Sequence, residues 1–135
     1  SSTKFIYEHE RGFNNDTGSM DGVFVESADI DIADGDNYVF LKKVLPDILF
    51  VNDIGTSQNG AVNIVLKRRD FSNQTLSTDS TTQVTASSTF GSLRSRGRQF
   101  VLRFESDDDN SEGDRKNYKW RLGNTRVEIQ PSGRR

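Results

Sequence analysis

Arg94-Ser95-Arg96-Gly97-Arg98-Gln99-Phe100-Val101-Leu102-Arg103-Phe104-Glu105-Ser106 is the stretch on which the fold reading turns. Phe100, Leu102 and Phe104 take every second position, with Gln99, Arg103 and Glu105 mostly between them. A period of two belongs to a half-buried β-strand, whose successive side chains point to opposite faces. Upstream, Arg94, Arg96 and Arg98 share the parity of the apolar residues, so an unbroken strand would aim three guanidiniums at the core. Gly97 offers a release. Glycine inside a strand often marks a bulge, and one extra residue swaps the faces of everything before it. Arg98 then stays on the core side and is expected at a rim, paired with a carboxylate.

The same spacing recurs on both sides of this stretch. Lys4–His9 is a short strand candidate, followed by a Gly/Asn/Asp-rich loop over residues 11–22 that reads as a linker. Residues 1–20 therefore form an N-terminal strand and linker, and residues 21–135 a β-sandwich domain. Val23–Glu26 and Ala28–Ala33 read as strands, the second with Ile30 and Ile32 inward, before a hairpin turn at Asp34-Gly35-Asp36-Asn37. The return strand from Tyr38 to Leu45 is apolar on both parities. That pattern calls for cover on a second face, from this chain or another.

Pro46 breaks the ladder, and Ile48–Val51 starts another apolar segment before a turn at residues 52–60. Val62, Ile64 and Leu66 form a clean half-buried strand. Residues 70–92 are Ser/Thr-rich with few apolar anchors, the mark of an exposed excursion or edge strands. After an acidic loop at residues 107–114, Tyr118, Trp120 and Leu122 alternate with Lys119 and Arg121, and Val127 and Ile129 with Arg126 and Glu128. Parity places Trp120 inside. Three consecutive antiparallel strands are expected from Gln99 to the end, and no helical period of ten residues appears anywhere. The expected fold is all-β: an antiparallel, jelly-roll-like β-sandwich of about seven to nine short strands.

Composition agrees. Across 135 residues, 32% hydrophobic and 28% charged side chains allow only a thin core, and a two-layered β-structure needs apolar residues at only half its strand positions. The net charge of -2 argues against a dedicated nucleic-acid binder. With no cysteine there are no disulfides and no thiolate sites. No apolar run approaches the roughly 20 residues that span a bilayer. Met20 is the only methionine, so the chain is expected to be a trimmed product or a part of something longer.

Catalytic constellations are missing from the sequence. His9 is the only histidine, which leaves the Cys/His metal and nucleophile arrangements without partners, and neither GxSxG nor HExxH occurs. Two acidic groups invite a calcium reading. In Asp29, Asp31, Asp34 and Asp36 strand geometry separates the first pair from the second, and Asp107, Asp108, Asp109, Glu112 and Asp114 read as a solvated hairpin tip. No metal and no cofactor is expected. The arginines are best used as forks onto carboxylates across a subunit boundary, which fixes register without needing net charge.

Val25-Glu26-Ser27-Ala28-Asp29-Ile30-Asp31-Ile32-Ala33-Asp34-Gly35-Asp36 through Lys42-Lys43-Val44-Leu45-Pro46-Asp47-Ile48, then Arg96-Gly97-Arg98-Gln99 with Arg103-Phe104-Glu105-Ser106, and finally Trp120-Arg121-Leu122-Gly123 with Pro131-Ser132-Gly133-Arg134-Arg135, make an ordered series. That series resembles the C-terminal region of bacteriophage tail nozzle or head-to-tail stabilisation proteins of short-tailed phages. The resemblance runs from about Phe5 to Arg135; the acidic loop is longer than in the pattern, and residues 72–88 have no counterpart in it. It implies a non-enzymatic virion protein in the neck or tail, assembled in the host cytoplasm. It also implies a homo-oligomeric ring, sixfold, below the portal and adaptor, that helps close and guide the DNA exit channel. Its partners would be copies of itself and other neck and tail proteins, with at most passive contact with genomic DNA and none with a membrane. The interface residues expected on this reading are Val39, Leu41, Leu45, Arg94, Arg96 and Arg98, so Leu41→Asp should impair assembly and leave a folded domain. The alternative is a β-sandwich carbohydrate-binding module that contacts a bacterial surface glycan through Tyr38, Tyr118, Trp120 and the Asp-rich loops.

Overall fold

The structure, a computed structural model, describes residues 14–15, 18–19, 23–31, 37–52, 60–106 and 118–133. The strand at Lys4–His9, His9 itself, Ile32, Asp34 and Asp36 of the acidic turn, the acidic loop 107–114 and the last two arginines lie outside them. Twelve strands occur among the described residues, every pairing is antiparallel, and the fold is the all-β sandwich expected. β1 (Asn14–Asn15) and β2 (Gly18–Ser19) pair only with each other. The remaining ten make the layers, slightly more than the expected seven to nine because several are only two or three residues long.

One layer is a five-stranded sheet. β10 (Gln99–Ser106) lies at its centre, with β7 (Ala61–Arg69) on one side and the short β3 (Phe24–Glu26) and β4 (Ile30–Asp31) in succession along the other; β8 (Ser77–Thr85) is the far edge. The Ser/Thr-rich stretch is thus an edge strand, as its composition suggested. The second layer has the order β12 (Arg126–Pro131), β5 (Val39–Leu45), β9 (Gly91–Gly97). β5 and β12 continue past a corner into β6 (Ile48–Asn52) and β11 (Tyr118–Leu122), which pair as a two-stranded arm. At that corner Pro46 cannot donate to a ladder, and the Gly123 N–H donates instead to the Asp47 carbonyl at 2.7 Å. A Cβ on Gly123 would collide with the Asp47 side chain, so the corner favours glycine there.

The core lies between the layers. Val62, Ile64 and Leu66 of β7, Val84 of β8 and Phe100, Leu102 and Phe104 of β10 face Val39, Leu41 and Val44 of β5 and Leu93 of β9. Ile30, Ile48, Phe50, Trp120, Leu122 and Val127 close its margins. At roughly 1.5 to 3 kcal/mol for each fully buried aliphatic or phenyl side chain, these contacts are the main favourable term of the fold.

Three expectations about pairing are corrected. Ala28–Ala33 and Tyr38–Leu45 do not form a hairpin: β4 pairs with β10 in one layer and β5 with β9 and β12 in the other. β10, β11 and β12 do not form a consecutive meander, since β10 pairs with β7, β11 with β6 and β12 with β5. Nor is 94–106 one bulged strand. The strand is interrupted at Arg98, where the chain leaves β9 in one layer and enters β10 in the other. Arg94 and Arg96 do point outward, because β9 buries Gly91, Leu93, Ser95 and Gly97 and exposes the residues between them. A change of sheet does what a bulge was expected to do.

Candidate interaction face

The two outer faces of the sandwich differ in how their charges are used. On the five-stranded layer, cations and carboxylates interleave. Lys67 Nζ donates to Glu26 Oε2 at 2.7 Å, Arg103 lies 3.5 Å from the same carboxylate and 2.9 Å from Glu105, and Arg69 is paired with Asp29. The ladder explains it, since Arg103 stands opposite Glu26 and Gln99 opposite Asp31. The Lys67 hydrogen bond holds the Glu26 carboxyl below its ordinary pKa, with Arg103 adding to it against the opposing effect of burial. The Arg103 guanidinium is held above its own ordinary value, first by Glu105. Its plane also covers Phe24, 3.7 Å from the ring centroid. This face neutralises itself.

Among the described residues, the outside of the other layer carries more exposed cations. Lys42, Lys43 and Arg94 border a shallow groove of about 480 Å³ floored by Phe40 and Phe90, with Glu128 as its carboxylate among the described residues. Glu128 is taken by Lys43 at 3.0 Å, and the same ammonium sits 5.5 Å from the Phe90 centroid. Farther along the ribbon Leu45 faces Arg126, Leu49 faces Arg121 and Val51 faces Lys119 across the ladders, all turned outward. Leu49 is 59% exposed, and Leu45 and Val51 are each 38% exposed. Exposed aliphatic side chains beside the exposed Arg121 and Arg126 make a mixed apolar and basic surface.

Of the six residues expected at an interface, the structure keeps two on this face, Leu45 and Arg94, and places the other four elsewhere. Val39 and Leu41 are core residues, 4% and 2% exposed, and cannot meet another subunit. The cause is a bulge: Glu128 opposes Lys43 while the next residue, Ile129, opposes Leu41, so Lys42 is an extra residue in β5 relative to β12. Apolar residues before it face inward on odd positions and Val44 on an even one. What looked like two apolar faces is largely one face read through a change of parity. Leu45 remains outside, beside Arg126, and Arg94 is exposed in the groove.

Arg96 and Arg98 have turned to structural work. Arg96 Nε–H donates to Ser132 Oγ at 2.8 Å and a terminal N–H to the Ser132 carbonyl at 3.1 Å, while its guanidinium covers Tyr38 at 4.3 Å. Arg98 is half-buried, 4.8 Å from the Tyr38 centroid and 5.2 Å from that of Phe71. The rings and guanidiniums stack alternately, Arg96, Tyr38, Arg98, Phe71, an arrangement electrostatics favours because each ring presents a negative π-face. Arg68 locks the base of the stack, donating to the Arg96 carbonyl at 2.7 Å and to Asp79 at 3.0 Å.

The face therefore includes residues that the sequence reading left out, namely Leu49, Val51, Lys119, Arg121 and Arg126. Their alternation was visible, but the pairing of β6 with β11 joins residues about seventy positions apart, and only that pairing sets the apolar rail beside the basic one. Among the described residues no group of three or more His, Cys, Asp or Glu is placed to hold a metal ion, and no helix is long and apolar enough to cross a membrane.

No family model and no curated protein matches this chain.

Proposed function

We propose that the chain is a non-enzymatic structural subunit of an oligomeric ring in the neck or tail of a short-tailed phage, below the portal and adaptor. The observation that carries the reading is the contrast between the two outer faces. Among the described residues, one has its charges paired within the subunit, and the other presents Leu45 and Leu49 opposite the exposed Arg126 and Arg121, with Glu128 as the carboxylate of its groove. A subunit that works by assembly needs one such open face on a rigid scaffold and needs no reacting group. The ordered sequence blocks that resemble nozzle and head-to-tail stabilisation proteins supply the phage context, the sixfold symmetry and the virion location.

A glycan-binding module draws less support. Trp120 packs against the core and Tyr38 lies between two guanidiniums, so neither offers an open aromatic platform. Electron microscopy of the full chain, alone and mixed with neck proteins of a short-tailed phage, tests the proposal. Ring-shaped particles, or insertion into a neck assembly, are the expected result. A monomer under both conditions that binds a glycan array would overturn it.

A further inference from the structure

The groove on the outside of the three-stranded layer owes its charge to an irregularity. Lys42 is the extra residue of β5 relative to β12, and both it and Lys43 line the groove, where strict alternation would send one of the two into the core. β9 alternates regularly and brings Ser92 and Arg94 to the same side. Glu128 neutralises Lys43 at 3.0 Å. Among the described residues, neither Lys42 nor Arg94 makes a hydrogen bond or an ion pair. Two like charges gathered on one face repel each other, and an anion placed on both relieves that cost.

What fits the groove follows from its inventory. Lys42 and Arg94 supply donors and no acceptor, and the Glu128 carboxylate is already engaged, so an occupant must bring negative charge and acceptors. Phe40, half-buried, and Phe90, 52% exposed, offer apolar contact beside the cations. A neutral sugar fits poorly, because its hydroxyl donors would find few acceptors. A single-stranded nucleic acid fits less well too, since the Lys43 ammonium lies over Phe90, 5.5 Å from the ring centroid, and Glu128 repels phosphate. We propose that this groove binds an acidic peptide segment of another protein, its aspartate or glutamate held by Lys42 and Arg94 and a neighbouring apolar side chain laid on Phe40 and Phe90. The shallow, open shape suits an extended segment better than a small molecule enclosed on all sides. Ring formation is not required for such binding.

The test is an amide NMR titration of the full, isotopically labelled 135-residue chain with two synthetic peptides, three repeats of Glu-Ser-Leu and the same peptide with Gln in place of Glu. The Glu peptide is expected to shift the amides of Lys42, Ser92 and Arg94, progressively less as salt rises, and the Gln peptide to leave them in place. Lys42→Glu/Arg94→Glu should weaken binding of the Glu peptide by at least about tenfold, and Phe90→Ala by a smaller factor. The spectrum of the double variant reports its fold, and Arg94→Gln alone serves where the double variant does not fold. Equal shifts from the Gln peptide, undiminished binding by the folded variant, or no shift at about 1 mM Glu peptide overturns the proposal. An oligothymidylate probe that shifts the same amides at a lower concentration than the peptide assigns the groove to nucleic acid and also overturns it. Each of these outcomes leaves the ring reading standing, because electron microscopy reads ring formation separately.

Discussion

The indole Nε1–H of Trp120 on β11 donates to Ser106 Oγ at the end of β10 at 2.9 Å, tying the two-stranded arm to the central strand of the opposite layer. Trp120 also stands opposite Phe50 and packs against the core margin. Trp120→Phe keeps most of that packing and loses the bond, so it should cost about 1 kcal/mol. Trp120→Ala should cost about 3 kcal/mol. Urea denaturation measures both, and Ser106→Ala combined with Trp120→Phe should cost little more than either alone if the two atoms share one interaction.

Leu41 is 2% exposed among Val39, Val44 and the β10 phenyl rings. Leu41→Ala should destabilise by about 3 kcal/mol, and Leu41→Asp, which places a charge where no water reaches it, should not fold. A native circular dichroism spectrum for Leu41→Asp would contradict the burial, and with it the bulge at Lys42 that produces it.

Glu26 accepts from Lys67 and lies beside Arg103, so its carboxyl pKa is lower in the folded than in the unfolded chain. For a depressed carboxylate the stabilising contribution is complete above the ordinary value of 4.5 and disappears as pH falls through the folded value. Wild type should therefore lose more stability than Glu26→Gln on acidification from neutrality to about pH 3, by less than about 1 kcal/mol because the pair is solvent-screened. Equal acid sensitivity of the two proteins in thermal melts would remove Glu26 from the account.

Arg96 holds the end of β12 by its fork onto Ser132, where the Tyr38 N–H also donates to the Gly133 carbonyl at 2.7 Å and the Ser132 N–H to the Tyr38 carbonyl at 2.9 Å. A lysine ammonium cannot span both Ser132 acceptors in the plane that also covers Tyr38. Arg96→Lys should accelerate amide hydrogen exchange at Tyr38 and Ser132 by about tenfold without altering exchange at Ile64 in the core. Uniform acceleration across the chain would instead make Arg96 a global stabiliser.

Gly91 begins β9 under the edge strand, and a Cβ there would lie 2.7 Å from Thr82 Cγ2. Gly91→Ala should cost about 1 to 3 kcal/mol in thermal unfolding, relieved in part by Thr82→Ser, which removes the opposing methyl. Additive effects of the two changes would mean that the layers do not meet there.

Period-two spacing alone identified most of the strands and which side of each is apolar. Ile64 in β7, Phe100 in β10 and Trp120 in β11 all face inward as their parity required, because alternation is a local property of an extended backbone. Which strand pairs with which was decided only by the tertiary structure, since ladder hydrogen bonds join residues far apart and leave no local mark. β4 therefore lies beside β10 and not β5, and Leu49 comes to face Arg121. The same holds for parity across irregularities: the extra residue Lys42 turns two apparent apolar faces of β5 into one and sends Val39 and Leu41 into the core, and the change of sheet at Arg98 turns Arg94 and Arg96 outward without a bulge. A single inserted or unpaired residue reverses every side chain on one side of it, and only contacts with the neighbouring strands fix where that reversal falls.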